Sequence, residues 1–347
     1  MRKARRIHSV ALGVGLLLLL DAATTLAQGE AQEPATSPQQ ESVNGPPTPV
    51  EGPISTGAEL TAARSRHARR RGTRSRRRHR QPPLRLPAIT PYGIPRLHVK
   101  AAYVVDATNN RVLFQKNPER ILPIASLTKL MTAMVFLQTN PDWDRVIEMV
   151  PEDIRNSSRT RIRAHEEITV RDLIHASLMS SDNAATKALV RTCGIPFNEF
   201  VGRMNLLADS LHLSGTHFVE PTGLDERNVS TAQDLARILQ VATSSEVVTG
   251  ITQKTEYTFV SNKKMHHLVN TNRLLRSQWN ITGGKTGFIR ESGYCLVTNI
   301  KSPSGIDITA VVLGAPSNAL RFAEARRILD WTFRFGLSLP ESRPESD

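Results

Sequence analysis

Cysteine occurs only twice in the 347 residues, at Cys193 and Cys295, so no disulfide framework staples this chain. The two read either as buried thiols acting as small apolar side chains, the preferred reading, or as a single bridge. A long hydrophobic run is also missing. The longest, residues 10–20, covers 11 residues, whereas a helix needs about 20 to cross the roughly 30 Å apolar slab of a bilayer. Aromatic residues are scarce, at 5%. None falls within the arginine-rich stretch 64–80, which therefore lacks rings that stack on bases, and nucleic acid is not an expected partner. Acidic residues are in the minority, 32 against 45 Lys and Arg, for a net charge of +13. That excess is local: residues 64–80 hold ten arginines and no acid, whereas residues 28–63 hold five glutamates and no base. The basic character thus says little about the folded part.

What is present at the N-terminus has the layout of an export signal. Arg2, Lys3, Arg5 and Arg6 precede the apolar run, and small residues follow it, with Thr25-Leu26-Ala27 as a cleavage site. Residues 1–27 are expected to direct the chain across the inner membrane into the periplasm. Residues 28–95 are dominated by Gln, Glu, Pro, Ser, Thr and Gly, then by arginine. With almost no large apolar side chains, nothing there offsets the entropy lost on ordering, so a disordered tether is expected. Its arginine block either contacts an anionic polymer or lipid headgroups or serves as a solvated, self-repelling spacer.

The folded domain is expected over residues 96–336, with a polar tail at 337–347. Apolar or alternating runs at 101–106 and 111–115, joined by Thr108-Asn109-Asn110, predict a hairpin. Leu130, Met134 and Leu137 recur at helical spacing and predict a helix over 126–138. Further helices are predicted at 170–179, opened by the cap residue Thr169, and at 183–193, 197–211 and 231–243. Strand character returns at 281–298, where Gly283-Gly284 reads as a turn, and at 306–313, which is β-branched. A last amphipathic helix is predicted over 319–335. Strands at both ends with helices between them must meet in one sheet. The fold class is therefore α/β (α+β), a single domain with an antiparallel sheet of N- and C-terminal strands flanked by a helical region.

Three short elements carry chemistry. Ser126-Leu127-Thr128-Lys129 starts a helix, and a serine and lysine three apart share one face, so the amine reaches the hydroxyl. Serine is a poor nucleophile without an adjacent base, and lysine becomes that base when burial or a neighbouring cation lowers its pKa. Ser181-Asp182-Asn183 lies between two helices, either as an N-cap or as a hydroxyl and amide that relay a proton and hold a peptide. Lys285-Thr286-Gly287 lies on a strand, where a lysine beside a glycine-relieved edge lets a substrate strand approach while the ammonium meets a carboxylate. Each match is weak alone. Together, in this order, they form the signature of β-lactamases and penicillin-binding proteins.

The chain resembles the low-molecular-mass penicillin-binding proteins, the serine DD-peptidases that trim murein. The resemblance extends to Pro123 through Ala133 around the nucleophile, to Glu220-Pro221-Thr222-Gly223-Leu224 and to Ser230 through Leu235, and it covers roughly residues 97–335. Leu178 through Asn183 and Lys285 through Phe288 look closest to the DD-endopeptidase branch. It implies a β-lactamase/DD-peptidase-like fold in which Ser126 attacks the carbonyl of a D-alanine and Lys129 takes its proton. Ser181, assisted by Lys285, passes a proton to the leaving amine, and Asn183 binds the peptide. Lys285, Thr286 and Gly287 contact substrate, and the backbone N–H groups of Ser126 and Phe288 hold the oxyanion. Peptidoglycan peptides are the implied substrates and β-lactams the implied covalent inhibitors. No cofactor is called for. No metal is expected, since the adjacent His266 and His267 project to opposite faces of a strand.

A class A β-lactamase is the nearest alternative, and it needs a glutamate to activate the deacylating water. Glu220 stands at a suitable distance, but Thr222-Gly223-Leu224 replaces the Glu-Leu-Asn that follows in that class, so Glu220 reads as structural. A non-catalytic murein-binding protein is a second alternative, and the retention of Ser126, Lys129 and Lys285 argues against it. The carboxypeptidase branch commonly adds a β-rich domain and an amphipathic anchor. The sequence runs to Asp347 just after its last helix, which tilts the expectation toward an endopeptidase, with carboxypeptidase close behind.

Overall fold

The computed structural model describes residues 93–158 and 160–338. The expected signal segment, the tether up to residue 92 and the tail from residue 339 lie outside the described residues. The chain opens with a hairpin, β1 (Ala101–Asp106) and β2 (Arg111–Lys116). Asp106 and Asn109 tighten its turn through side-chain oxygens that accept the N–H groups of Thr108 at 2.9 Å and Arg111 at 3.0 Å. β3 (Leu122–Pro123) leads through a 3-10 turn, Ala125–Thr128, into α1 (Lys129–Leu137).

The middle of the chain is helical. β4 (Val146–Glu148) precedes α2 (Pro151–Ile154) and pairs with β5 (Glu167–Thr169). Then come α3 (Val170–Met179), α4 (Asn183–Thr192) and α5 (Phe197–Ser210). β6 (Val229–Ser230) pairs with β3 and precedes α6 (Ala232–Ala242) and α7 (Glu246–Thr252). β7 (Glu256–Val260) and β8 (Met265–Val269) form a second hairpin. Caps set the starts: the hydroxyls of Thr169 and Thr231 and the carboxylate of Asp182 accept N–H groups of Asp172, Asp234 and Ala185.

The C-terminal part is β9 (Asn280–Ile289), β10 (Gly293–Lys301), β11 (Asp307–Ala315) and α8 (Asn318–Arg334). The main sheet is antiparallel in the order β2-β1-β11-β10-β9, and its two ends of chain meet where Ala101 lies opposite Leu313 and Asp106 opposite Ile308. All six residues of β1 are buried, because both sheet faces are covered. Ala101, Tyr103 and Val105 join the core of the helical region, while Ala102 and Val104 join the core under α8. α8 supplies Phe322, Ala325, Ile328 and Leu329, spaced three and four apart on its inner face. Each large side chain of this kind contributes about 1.5–3 kcal/mol on full burial.

One sequence expectation is corrected. Gly283-Gly284 is not a turn but lies inside β9, and the chain reverses only at Arg290–Ser292. The pairing shifts there: Asn299 faces Gly283 while Ile300 faces Ile281, leaving Thr282 as a bulge. A Cβ on Gly284, whose φ is +154°, would lie 2.7 Å from the Val297 carbonyl oxygen. Glycine serves a bulge and a close strand approach here, and the same residue pair also marks turns. The predicted helix at 126–138 begins one turn later as regular α-helix, Ser126 standing in the 3-10 turn before it. Cys193 and Cys295 are both free thiols. Among the described residues no helix is long and apolar enough to cross a membrane.

Candidate active site

Ser126 is held by a turn that its neighbours anchor. Ile124, Leu127 and Leu130 are essentially fully buried, and Ala125 takes a left-handed φ of +50°, a strained setting for a residue with a side chain. The loop after Glu220 packs beneath. Gly223 has φ +81°, and a Cβ there would sit 2.0 Å from the Ala125 carbonyl oxygen, so only glycine fits. Glu220 organises this loop. One carboxylate oxygen accepts the N–H of Leu224 at 2.8 Å and the amide of Asn228 at 2.9 Å; the other accepts the N–H and hydroxyl of Thr222 at 2.7 and 2.6 Å.

Lys129 is completely buried, one turn along from the serine. Its amine reaches Ser126 Oγ at 3.0 Å, Asn183 Oδ1 at 2.6 Å and the Thr222 carbonyl at 2.6 Å. Burial pushes its pKa down to about 7, although Glu220 and Asp182 pull the other way. A neutral amine has two protons and one lone pair. With two fixed acceptors taking the protons, the lone pair faces the serine hydroxyl.

Ser181-Asp182-Asn183 caps a helix and also reaches the groove. Asp182 caps α4 and takes a hydroxyl bond from Thr160 at 2.7 Å. That frees its neighbours: Ser181, at φ +63°, turns toward β9, and Asn183 also donates to the Ser157 carbonyl at 3.2 Å. Lys285, 1% exposed, donates to Ser181 Oγ at 2.8 Å. Burial, reinforced by the charges of Lys129 and Arg321, lowers its pKa well below the ordinary range. Thr286 Oγ1 bonds Thr271 Oγ1 at 2.7 Å. Gly287 passes so close to the nucleophile turn that a Cβ would meet the Ile124 carbonyl at 2.7 Å and the Ser126 nitrogen at 3.2 Å.

The expected site residues converge. Ser126, Ser181, Asn183, Thr286, Gly287 and Phe288 line one groove of about 550 Å³, and Lys129 and Lys285 lie buried behind its two serines. Phe288 is exposed, its ring stacked on Tyr294 with centroids 4.1 Å apart. Sequence reasoning missed Arg321. Buried on α8, it lines the groove and donates to the carbonyls of Gly287 and Cys295, both at 3.0 Å. It also missed the acceptors at Thr222 and Ser157, which are main-chain groups and carry no residue signal. Among the described residues no group of three or more His, Cys, Asp or Glu is arranged to hold a metal ion; His266 faces inward onto Glu166 while His267 is exposed.

A serine hydroxyl against a buried, near-neutral lysine, with a second serine–lysine pair across the groove, defines the class of active-site serine hydrolases that use lysine rather than histidine as base. Comparison with known proteins narrows this. Residues 90–317 match the family described as D-alanyl-D-alanine carboxypeptidase. A D-alanyl-D-alanine endopeptidase of Pseudomonas aeruginosa is 38% identical over 67% of this chain and 76% of that protein. The D-alanyl-D-alanine carboxypeptidase DacF of Bacillus subtilis is 31% identical over 67% of this chain and 62% of that protein. Penicillin-binding protein D2 of Listeria monocytogenes, solved in its cefotaxime-bound form, superposes with a TM-score of 0.62 at 31% identity, over 69% of this chain and 98% of that one. The chain belongs to this D-alanyl-D-alanine carboxypeptidase family of serine peptidases.

Proposed function

We propose that this chain hydrolyses D-alanyl peptide bonds of bacterial peptidoglycan through an acyl-enzyme on Ser126, with cross-bridges favoured over terminal D-alanine. The observation that carries the reading is the setting of Lys129, whose amine meets Ser126 at 3.0 Å and whose pKa burial brings to about 7. Ser126 Oγ attacks the D-alanine carbonyl and its proton moves to Lys129 Nζ. The oxyanion rests on the N–H groups of Ser126 and Phe288. Ser181, bonded to Lys285, delivers a proton to the leaving amine as the C–N bond breaks, and water then cleaves the ester. Asn183 orients the peptide, and Lys285, Thr286 and Gly287 receive the leaving residue and its carboxylate.

β-Lactams acylate the same serine in this reading. Glu220 has both oxygens engaged by its own loop and by Asn228, which leaves it unsuited to activate a deacylating water, so the adduct persists. The endopeptidase preference rests on the resemblance around Ser181 and Lys285 and on the relative at 38% identity. Residues 1–27 are proposed as the export signal, and the arginines of 64–80 as a contact for anionic polymer or headgroups. Digestion of purified cross-linked muropeptides, with the products separated, tests the preference. Conversion of dimers to monomers supports it, and loss of terminal D-alanine from monomers alone contradicts it.

A further inference from the structure

β9 is the edge strand of the sheet, and beyond Thr286 the hydrogen bond to Thr271 joins it to the segment after β8. That segment is rigidly built. Thr271 Oγ1 bonds the Met179 carbonyl at 3.2 Å, Asn270 donates to the carbonyls of Thr252 and Lys254 at 3.2 and 2.9 Å, and Asn272 caps a 3-10 turn, Arg273–Arg276. Arg273 and Arg276 both line the groove, as does Arg321, and among the described residues no acidic side chain does. Arg276 is tied to Glu256 at 2.9 Å. Arg273, exposed, makes no ion pair or hydrogen bond through its side chain to any described residue.

We propose that Arg273, seconded by Arg276, forms an anion subsite on the leaving-group side of the groove and takes a second carboxylate of the departing residue. The inference rests on the peptidase reading, in which Lys285 and Thr286 receive the first carboxylate. Burial lowers Arg321 to about 10, and the charge of Arg273 adds to that effect, so the guanidiniums stand near enough to oppose one another. Arg273 and Arg321, like charges facing one cleft with no acid paired to either among the described residues, are an unfavourable arrangement that a bound anion relieves. A single released D-alanine has one carboxylate and leaves Arg273 without a partner. A departing residue with a side-chain carboxylate supplies the second. The groove thereby selects for larger, more acidic leaving groups.

The test uses two isosteric ligands, acetyl-D-alanyl-D-glutamate and acetyl-D-alanyl-D-glutamine, titrated calorimetrically into the full-length Ser126→Ala protein. The acid is expected to bind about tenfold more tightly than the amide, the worth of one charge-assisted hydrogen bond. Adding Arg273→Gln should bring the ratio close to one, Arg273→Lys should keep part of it, and Arg276→Gln should reduce it less. Equal affinities in the parent, no binding of the glutamate peptide, or an unchanged ratio in Arg273→Gln overturns the proposal. Failure of the Ser126 reading would show separately, as wild-type protein that β-lactams do not acylate.

Discussion

In the proposed mechanism Lys129 is the residue on which the chemistry turns, and its protonation would set a measurable pH dependence. The amine must be neutral to accept the serine proton, and its pKa lies near 7. Acylation by a β-lactam is therefore expected to climb as pH rises through about 7 and to level off above it, in a stopped-flow or gel-labelling series. Glu220 raises the pKa of Lys129 through its charge. Glu220→Gln removes that charge, so the rising limb moves to lower pH. The same change sets an amide NH2 against loop N–H donors that now meet a carboxylate, and the unfolding free energy should fall by about 1–3 kcal/mol. A limb that stays in place or moves to higher pH would contradict the assignment of the base.

Elements hold these residues by close backbone approach, and the closest is β9 against the nucleophile turn. Gly287→Ala puts a methyl 2.7 Å from the Ile124 carbonyl and 3.2 Å from the Ser126 nitrogen, so the strand must retreat. Acylation should slow by about 100-fold, the cost of a displacement on the order of 1 Å, while far-ultraviolet circular dichroism stays native. On the opposite sheet face, Ile328→Ala empties a fully buried site of α8 and should cost about 2–5 kcal/mol in denaturant unfolding. The elements were largely legible. Thr169 before a run of helical spacing marked the start of α3 to the residue, and the runs at 101–106 and 111–115 joined by Thr108-Asn109-Asn110 gave the first hairpin. The convergence of the candidate residues was legible because their three motifs are contiguous and two of them open helices. What escaped has physical reasons. Arg321 is a lone arginine in a helix, 34 and 26 residues from the carbonyls it bonds. Gly283-Gly284 signals a turn and a bulge equally well. β7 and β8 are five residues each, with pairing that only tertiary packing selects.

Across the described domain, a sheet built from both of its ends packs one face on the helical region and the other on α8, and leaves β9 as an edge beside the two serine–lysine pairs. The charge excess lies elsewhere, in residues 64–80. If that block contacts anionic wall polymer or headgroups, binding of the full chain to such material should weaken steeply as salt shortens the Debye length to about 8 Å at physiological ionic strength. Replacing the ten arginines by glutamine should abolish that dependence, and retention independent of salt and arginine would assign the block to a spacer. The account as a whole stands on Ser126. Intact-mass measurement of the protein after exposure to benzylpenicillin, followed by peptide mapping, tests it most directly. One penicilloyl group on the peptide holding Ser126, persisting for many minutes and absent from Ser126→Ala, is the expected result. No adduct, an adduct on another residue, or rapid release with penicillin turnover would contradict it.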